Sequence, residues 1–113
     1  MPFIHVHIGA HLTETQRDEI KHMLGEKIIL LPGKSEKSLM IRLDAGAEMQ
    51  FRGEPGHCAM IQVHLYQASP REAKARFAAE VIAALGPLAG LETDQIFLHF
   101  FEHQEWAAGG QLK

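Results

Sequence analysis

The chain has 113 residues, a formal net charge of −3, eight histidines and a single cysteine, Cys58. A chain of this length forms one domain that buries about 65% of its unfolded surface, so it needs neither disulfide nor metal to fold. One thiol excludes an intramolecular disulfide, the charge gives no basic face for nucleic acid, and the longest apolar run, Ile28 to Leu31, is far too short for a bilayer.

No apolar run flanked by positive charges opens the chain, and the compartment read from this and the lone cysteine is the cytoplasm. The opening residues, Met1-Pro2, carry the first chemical signal. Methionine aminopeptidase removes Met ahead of a residue as small as proline, and what it leaves is a ring-held secondary amine, both base and nucleophile. Phe3 to Ile8 then alternate, with Ile4, Val6 and Ile8 against Phe3, His5 and His7, the pattern of a strand with two differently lined faces. Thr13 stands three before Gln16, the spacing of a capping box, and Glu14, Asp18 and Glu19 suit the positive end of the helix it opens. Ile20, Met23, Leu24, Ile28 and Leu31 recur at helical spacing until Pro32-Gly33. Leu39, Ile41 and Leu43 alternate with Met40, Arg42 and Asp44 in a second strand.

The same order then returns. Ala59, Ile61, Val63 and Leu65 alternate with Met60, Gln62, His64 and Tyr66 in a third long strand. Ser69-Pro70-Arg71-Glu72 predicts an N-cap, a proline at the first helical position and a capping-box Glu. Phe77, Val81, Ala84, Leu85 and Leu88 form the apolar stripe, with Gly86-Pro87 marking an end or a late break. Ile96, Leu98 and Phe100 alternate with Phe97, His99 and Phe101 in the fourth strand. The expectation is an α+β domain over residues 1–113, built as two consecutive β-α-β units, 2–46 and 57–102, followed by a segment 103–113. Both helices should cover one face of a four-stranded sheet. The other face, with Phe3, His5, His7, Met40, Met60, His64, Tyr66, Phe97 and Phe101, is too apolar for open water, which predicts oligomerisation.

The repeat, the length and Pro2 together resemble the tautomerase superfamily, and within it the branch of the macrophage migration inhibitory factor (MIF). The blocks that carry the likeness are Met1-Pro2-Phe3-Ile4, Leu30-Leu31-Pro32-Gly33-Lys34-Ser35, Phe51-Arg52-Gly53-Glu54-Pro55 and Asp94-Gln95-Ile96-Phe97-Leu98. The resemblance implies a homotrimer with pockets between adjacent subunits and Pro2 at the base of each. It implies keto-enol tautomerisation of a small α-keto acid such as phenylpyruvate, without a cofactor, with Pro2 as general base and Lys34 as partner of the substrate carboxylate. Tyr66, Phe97, His99 and Trp106 are the further substrate-binding positions it implies.

Three positions depart from that pattern. Phe97 replaces a tyrosine common in the branch, His99 stands where asparagine or another polar residue is found, and Ala108 follows Trp106 where a second tryptophan is common. Cys58-Ala59-Met60-Ile61 keeps only the first sulfur of the branch's Cys-x-x-Cys motif, so thiol-disulfide cycling is not expected. Two other readings stand beside the tautomerase: a non-catalytic trimeric or cytokine-like interaction protein, and a hydratase-type reaction for which Arg42 and Arg52 are the only evident extra arginines. No metal site is expected. His5 and His7 share a face, but i, i+2 on a strand sets them about 7 Å apart, and no carboxylate accompanies them at ligand spacing along the chain.

Overall fold

The computed structural model describes residues 1–113. Strand β1 (Pro2–Ile8) is followed by helix α1 (Glu14–Lys27), strand β2 (Met40–Ala45), the short strands β3 (Gln50–Phe51) and β4 (Glu54–Pro55), strand β5 (Ala59–Tyr66), helix α2 (Arg71–Ala89), strand β6 (Ile96–His103) and a terminal hairpin, β7 (Ala107–Ala108) and β8 (Gln111–Leu112). The main sheet has the order β2-β1-β5-β6. β1 and β2 are parallel, β5 and β6 are parallel, and the two units meet where β1 runs antiparallel to β5. The expected pair of β-α-β units is therefore present.

Alternation in the central strands becomes a strict division of faces. Ile4, Val6, Ile8, Ile61, Val63 and Leu65 are fully buried in one cluster with Ile20 and Leu24 of α1 and Phe77, Val81 and Leu85 of α2. Both helices thus lie on this face, and Lys27 of α1 donates to Glu80 of α2 at 3.0 Å to tie them together. No helix covers the opposite face. Met40 is 67% exposed, Phe97 57% and Phe101 37%.

Thr13 caps α1 as its spacing predicts: Oγ1 accepts from Gln16 N at 3.1 Å, and Gln16 Oε1 accepts from Thr13 N at 2.8 Å. The helix ends earlier than Pro32-Gly33. Its last α turn closes at Lys27 and a 3-10 turn, Ile28–Leu30, keeps Ile28 and Leu31 in the core.

Two expectations for the second helix are corrected. Ser69 is not its cap: α2 opens at Arg71 with Pro70 in the cap position and no side-chain cap, while Ser69 N donates to Glu102 Oε2 on β6 at 2.7 Å. Glu102 thus takes the amide that a capping-box Glu72 would have accepted from. Gly86-Pro87 neither ends nor breaks the helix, which runs on to Ala89 and closes at Gly90 with φ 70°. Pro87 and Ala83, whose carbonyl loses its donor to the proline ring, are both exposed, so that carbonyl turns to water.

The short β3-β4 pair turns through Arg52 (φ 56°) and Gly53 (φ 76°), two consecutive left-handed residues that match the twist of a tight hairpin. Arg52 Nη1 then donates to Asp94 Oδ2 at 3.1 Å and fixes the hairpin beside the start of β6. Gly9, at the end of β1, sits where a Cβ would lie 2.0 Å from the Gly56 carbonyl oxygen. Only glycine permits that approach of two backbones.

Candidate active site

Pro2 is buried at the amino end of β1, opposite Leu65 of β5. Beside it, Lys34 reaches out of the loop after α1 and donates from Nζ to the Tyr66 carbonyl at 3.2 Å. An ammonium has three donors, so that bond leaves capacity for an anion. The α-amino group of this terminus, on Met1, is held below its ordinary value by burial, then by Lys34 and Lys113. Lys34 and Lys113, far apart in the chain, thus both bear on one terminal amine. With Met1 attached, the Pro2 nitrogen is a tertiary amide without basicity; removal of Met1 would place the amine on the buried proline itself.

An apolar hollow of about 310 Å³ adjoins this corner, lined by Phe3, Met40, His64, His103, Glu105 and Trp106. Strand register builds it. Phe3 is paired with Met40 on one side and with His64 on the other, and His64 in turn with Phe101, so one row of side chains crosses the sheet. The His64 ring lies 5.7 Å from Phe3 and stacks on Phe101 at 4.5 Å with 12° between planes. His64 Nδ1 and His103 Nε2 share a hydrogen bond of 2.9 Å, and Trp106 meets His103 edge-on at 5.7 Å. Burial, and then the neighbours His103, His99 and His5, push the His64 imidazole below its usual value, which favours its neutral form. The backbone bond from Lys113 N to Trp106 O, 2.9 Å, folds the chain end over the hollow and explains why Lys113 is felt at the amino terminus.

The sequence-predicted residues fall into two groups. Pro2, Lys34 and the backbone of Tyr66 come together, and Trp106 lines the adjoining hollow. Phe97 does not join them within one chain: it pairs with Met60, five positions along β5 from Leu65, roughly 16 Å at about 3.3 Å per residue. There it meets Phe51 edge-on at 5.1 Å. His99, paired with Gln62, packs edge-on to Phe101 at 4.5 Å, and its Nε2 is buried without a hydrogen-bond partner.

Phe3, Met40, His64, His103, Glu105 and Lys113 are the site residues that sequence reasoning did not single out. Phe3, Met40 and His64 had a signal in their outward phase, whereas His103 and Glu105 had none beyond their nearness to Trp106. The two arginines considered for a hydratase are both taken: Arg42 Nε donates to Asp44 at 3.0 Å and Arg52 pairs with Asp94.

Neither a protein-family model nor a curated protein matches this sequence. Solved structures do match. MIF2 of Leishmania major superposes with a TM-score of 0.89 at 17% identity, covering 100% of this chain and 97% of its own. The MIF-like protein of Entamoeba histolytica gives 0.86 at 19% identity, over 99% and 98%. A fused 4-OT, an asymmetric trimer, gives 0.84 at 12% identity, over 96% and 94%. Superposing over nearly its whole length on these proteins, the chain has the fold of the MIF-like proteins.

Proposed function

We propose that the protein is a keto-enol tautomerase for a small α-keto acid such as phenylpyruvate, with the Pro2 amine, freed by removal of Met1, as its general base. The observation that carries this reading is a buried Pro2 in the corner where burial and then Lys34 already hold the Met1 α-amine below its ordinary value, an environment that a Pro2 amine would inherit. A neutral amine takes the proton from the carbon next to the ketone, the electron pair moves to the carbonyl oxygen, and the proton is returned there to give the enol. Lys34 Nζ holds the substrate carboxylate and Trp106 covers the substrate's apolar part.

The active form is a homotrimer. The helix-free sheet face, with Met40 and Phe97 exposed, calls for a neighbouring copy, and the fused 4-OT of similar structure is a trimer. Phe97 and His99 then serve the pocket of the adjacent subunit, which accounts for their distance from Pro2 in one chain. No helix of the protein is long and apolar enough to cross a membrane.

The test compares two preparations separated by intact mass. Protein lacking Met1 should tautomerise phenylpyruvate, and protein retaining it should be inert. Equal activity in both would remove Pro2 from the mechanism, and an inactive, fully processed trimer would favour the non-catalytic interaction protein.

A further inference from the structure

His5 and His7 lie one strand position apart from contact by spacing alone, yet their rings lean together, with centroids 3.7 Å apart and 35° between planes. The parallel pairing of β1 with β2 sets His7 directly opposite Asp44 and supplies the carboxylate that no spacing along one strand could reveal. This corrects the expectation drawn from sequence. His5 Nε2 and Asp44 Oδ2 are 2.6 Å apart, and one ligand atom from each of the three residues falls within 4.8 Å of the other two. All three side chains are half-buried on the helix-free face.

The surroundings are those of a supported ligand set. His7 Nε2 hydrogen-bonds Gln62 Oε1 at 2.8 Å, which makes Nε2 the protonated nitrogen and leaves the Nδ1 lone pair free. Arg42 and His5 both address Oδ2 of Asp44, so Oδ1 takes neither bond. Two imidazoles and one carboxylate suit zinc and its neighbours rather than magnesium or calcium, which favour all-oxygen sets. A tetrahedral ion with bonds of about 2.0–2.1 Å sets its ligand atoms about 3.3 Å apart, within reach of small side-chain rotations from the observed spacing.

We propose that His5, His7 and Asp44 form a binding site for a divalent transition-metal ion of the zinc class, with Gln62 orienting His7. When the ion enters, the neutral His5 ring takes the tautomer with its proton on Nδ1, so that the Nε2 lone pair and the Asp44 carboxylate both turn to the metal. Water fills the fourth position. The site is separate from Pro2 and does not depend on the tautomerase reading.

Calorimetric titration of the full-length protein with Zn²⁺ should give one ion per chain. His5→Ala and His7→Ala should each weaken binding by more than about 100-fold, and Gln62→Ala by about 10-fold, the range for loss of an orienting partner. Co²⁺ in place of zinc should give visible absorption bands that vanish in the same two variants. His22→Ala, on the exposed face of α1, and His64→Gln, in the pair with His103, should leave zinc binding unchanged. Should either alanine variant fail to fold, shown by circular dichroism, Asp44→Asn replaces it with the same expectation. No saturable binding at micromolar zinc, binding that survives loss of His5 and His7, or binding that follows His64 would each overturn the proposal.

Discussion

Lys34 Nζ lies 3.2 Å from the carbonyl oxygen of Tyr66, so a loop lysine is held against the end of the strand that pairs with the amino terminus. That bond fixes where an anion can dock. It also places a positive charge close enough to depress the terminal amine, joining substrate binding and base strength in one side chain.

Lys34→Ala should therefore raise KM for an α-keto acid by about 10- to 150-fold, the equivalent of about 1.5–3 kcal/mol for a hydrogen bond to a charged group. Steady-state kinetics on processed protein checks this. An unchanged KM would return Lys34 to the role of a lysine pinning a loop to β5.

The exposed aromatic side of the sheet predicts assembly. Light scattering at micromolar concentration should give a trimer, and Phe97→Glu, which places a charge on a side chain 57% exposed in the single chain, should shift the population toward monomer. Phe97→Tyr should leave the trimer intact and increase turnover by restoring a hydroxyl to the pocket wall. A wild-type monomer would remove Phe97 and His99 from any active site.

Stability should be most sensitive where both units share the core. Phe77 of α2 is fully buried and packs 6.1 Å, centroid to centroid, from Phe100 of β6. Phe77→Ala should cost about 3–5 kcal/mol, read from denaturant unfolding followed by circular dichroism. A cost below about 1 kcal/mol would mean the helix is anchored elsewhere.

The His64 imidazole, lowered by burial and by its histidine neighbours, makes a pH prediction of definite sign. A histidine whose folded value is depressed binds its proton more readily in the unfolded chain. Stability should then fall as pH drops from about 6.5 toward that lower value. His64→Gln should flatten this limb in thermal melts. The limb is separable from the acid unfolding of Glu80, Glu102 and Asp44, whose carboxyls are held below their ordinary values by partners and titrate at lower pH.

What could be read from the chain follows from the range of the interaction. Thr13 and Gln16 cap each other across three residues, and Ile4, Val6 and Ile8 alternate within one strand, so spacing alone is enough for both. Ser69 is not a cap because α2 opens one residue later, at Arg71, and the Ser69 amide that a capping-box Glu72 would have accepted from donates instead to Glu102, more than thirty residues away. Asp44 beside His7, and His103 beside His64, are matters of strand register, which the period of one strand leaves open. Pro2 gave a signal by itself, as a small residue after Met1 whose exposed amine is a base, whereas Lys34 was legible only through a family likeness, since a loop lysine signals no chemistry alone. The burial that lowers the amine exists only in the folded chain.

The strictest consequence concerns the pH dependence of the reaction. If the terminal amine is the base, it must be neutral to act, so kcat/KM should rise as pH climbs through its value in the free enzyme, which burial, Lys34 and Lys113 should hold below about 7.7–8.0. Burial is the larger cause and survives mutation of either lysine. Lys34→Ala should thus move the rising limb to higher pH without abolishing the depression, and Lys113→Ala should move it less. Both shifts are expected in protein shown by mass to lack Met1. A rising limb unmoved by Lys34→Ala would mean that Lys34 does not set the basicity of the catalytic amine and that burial does.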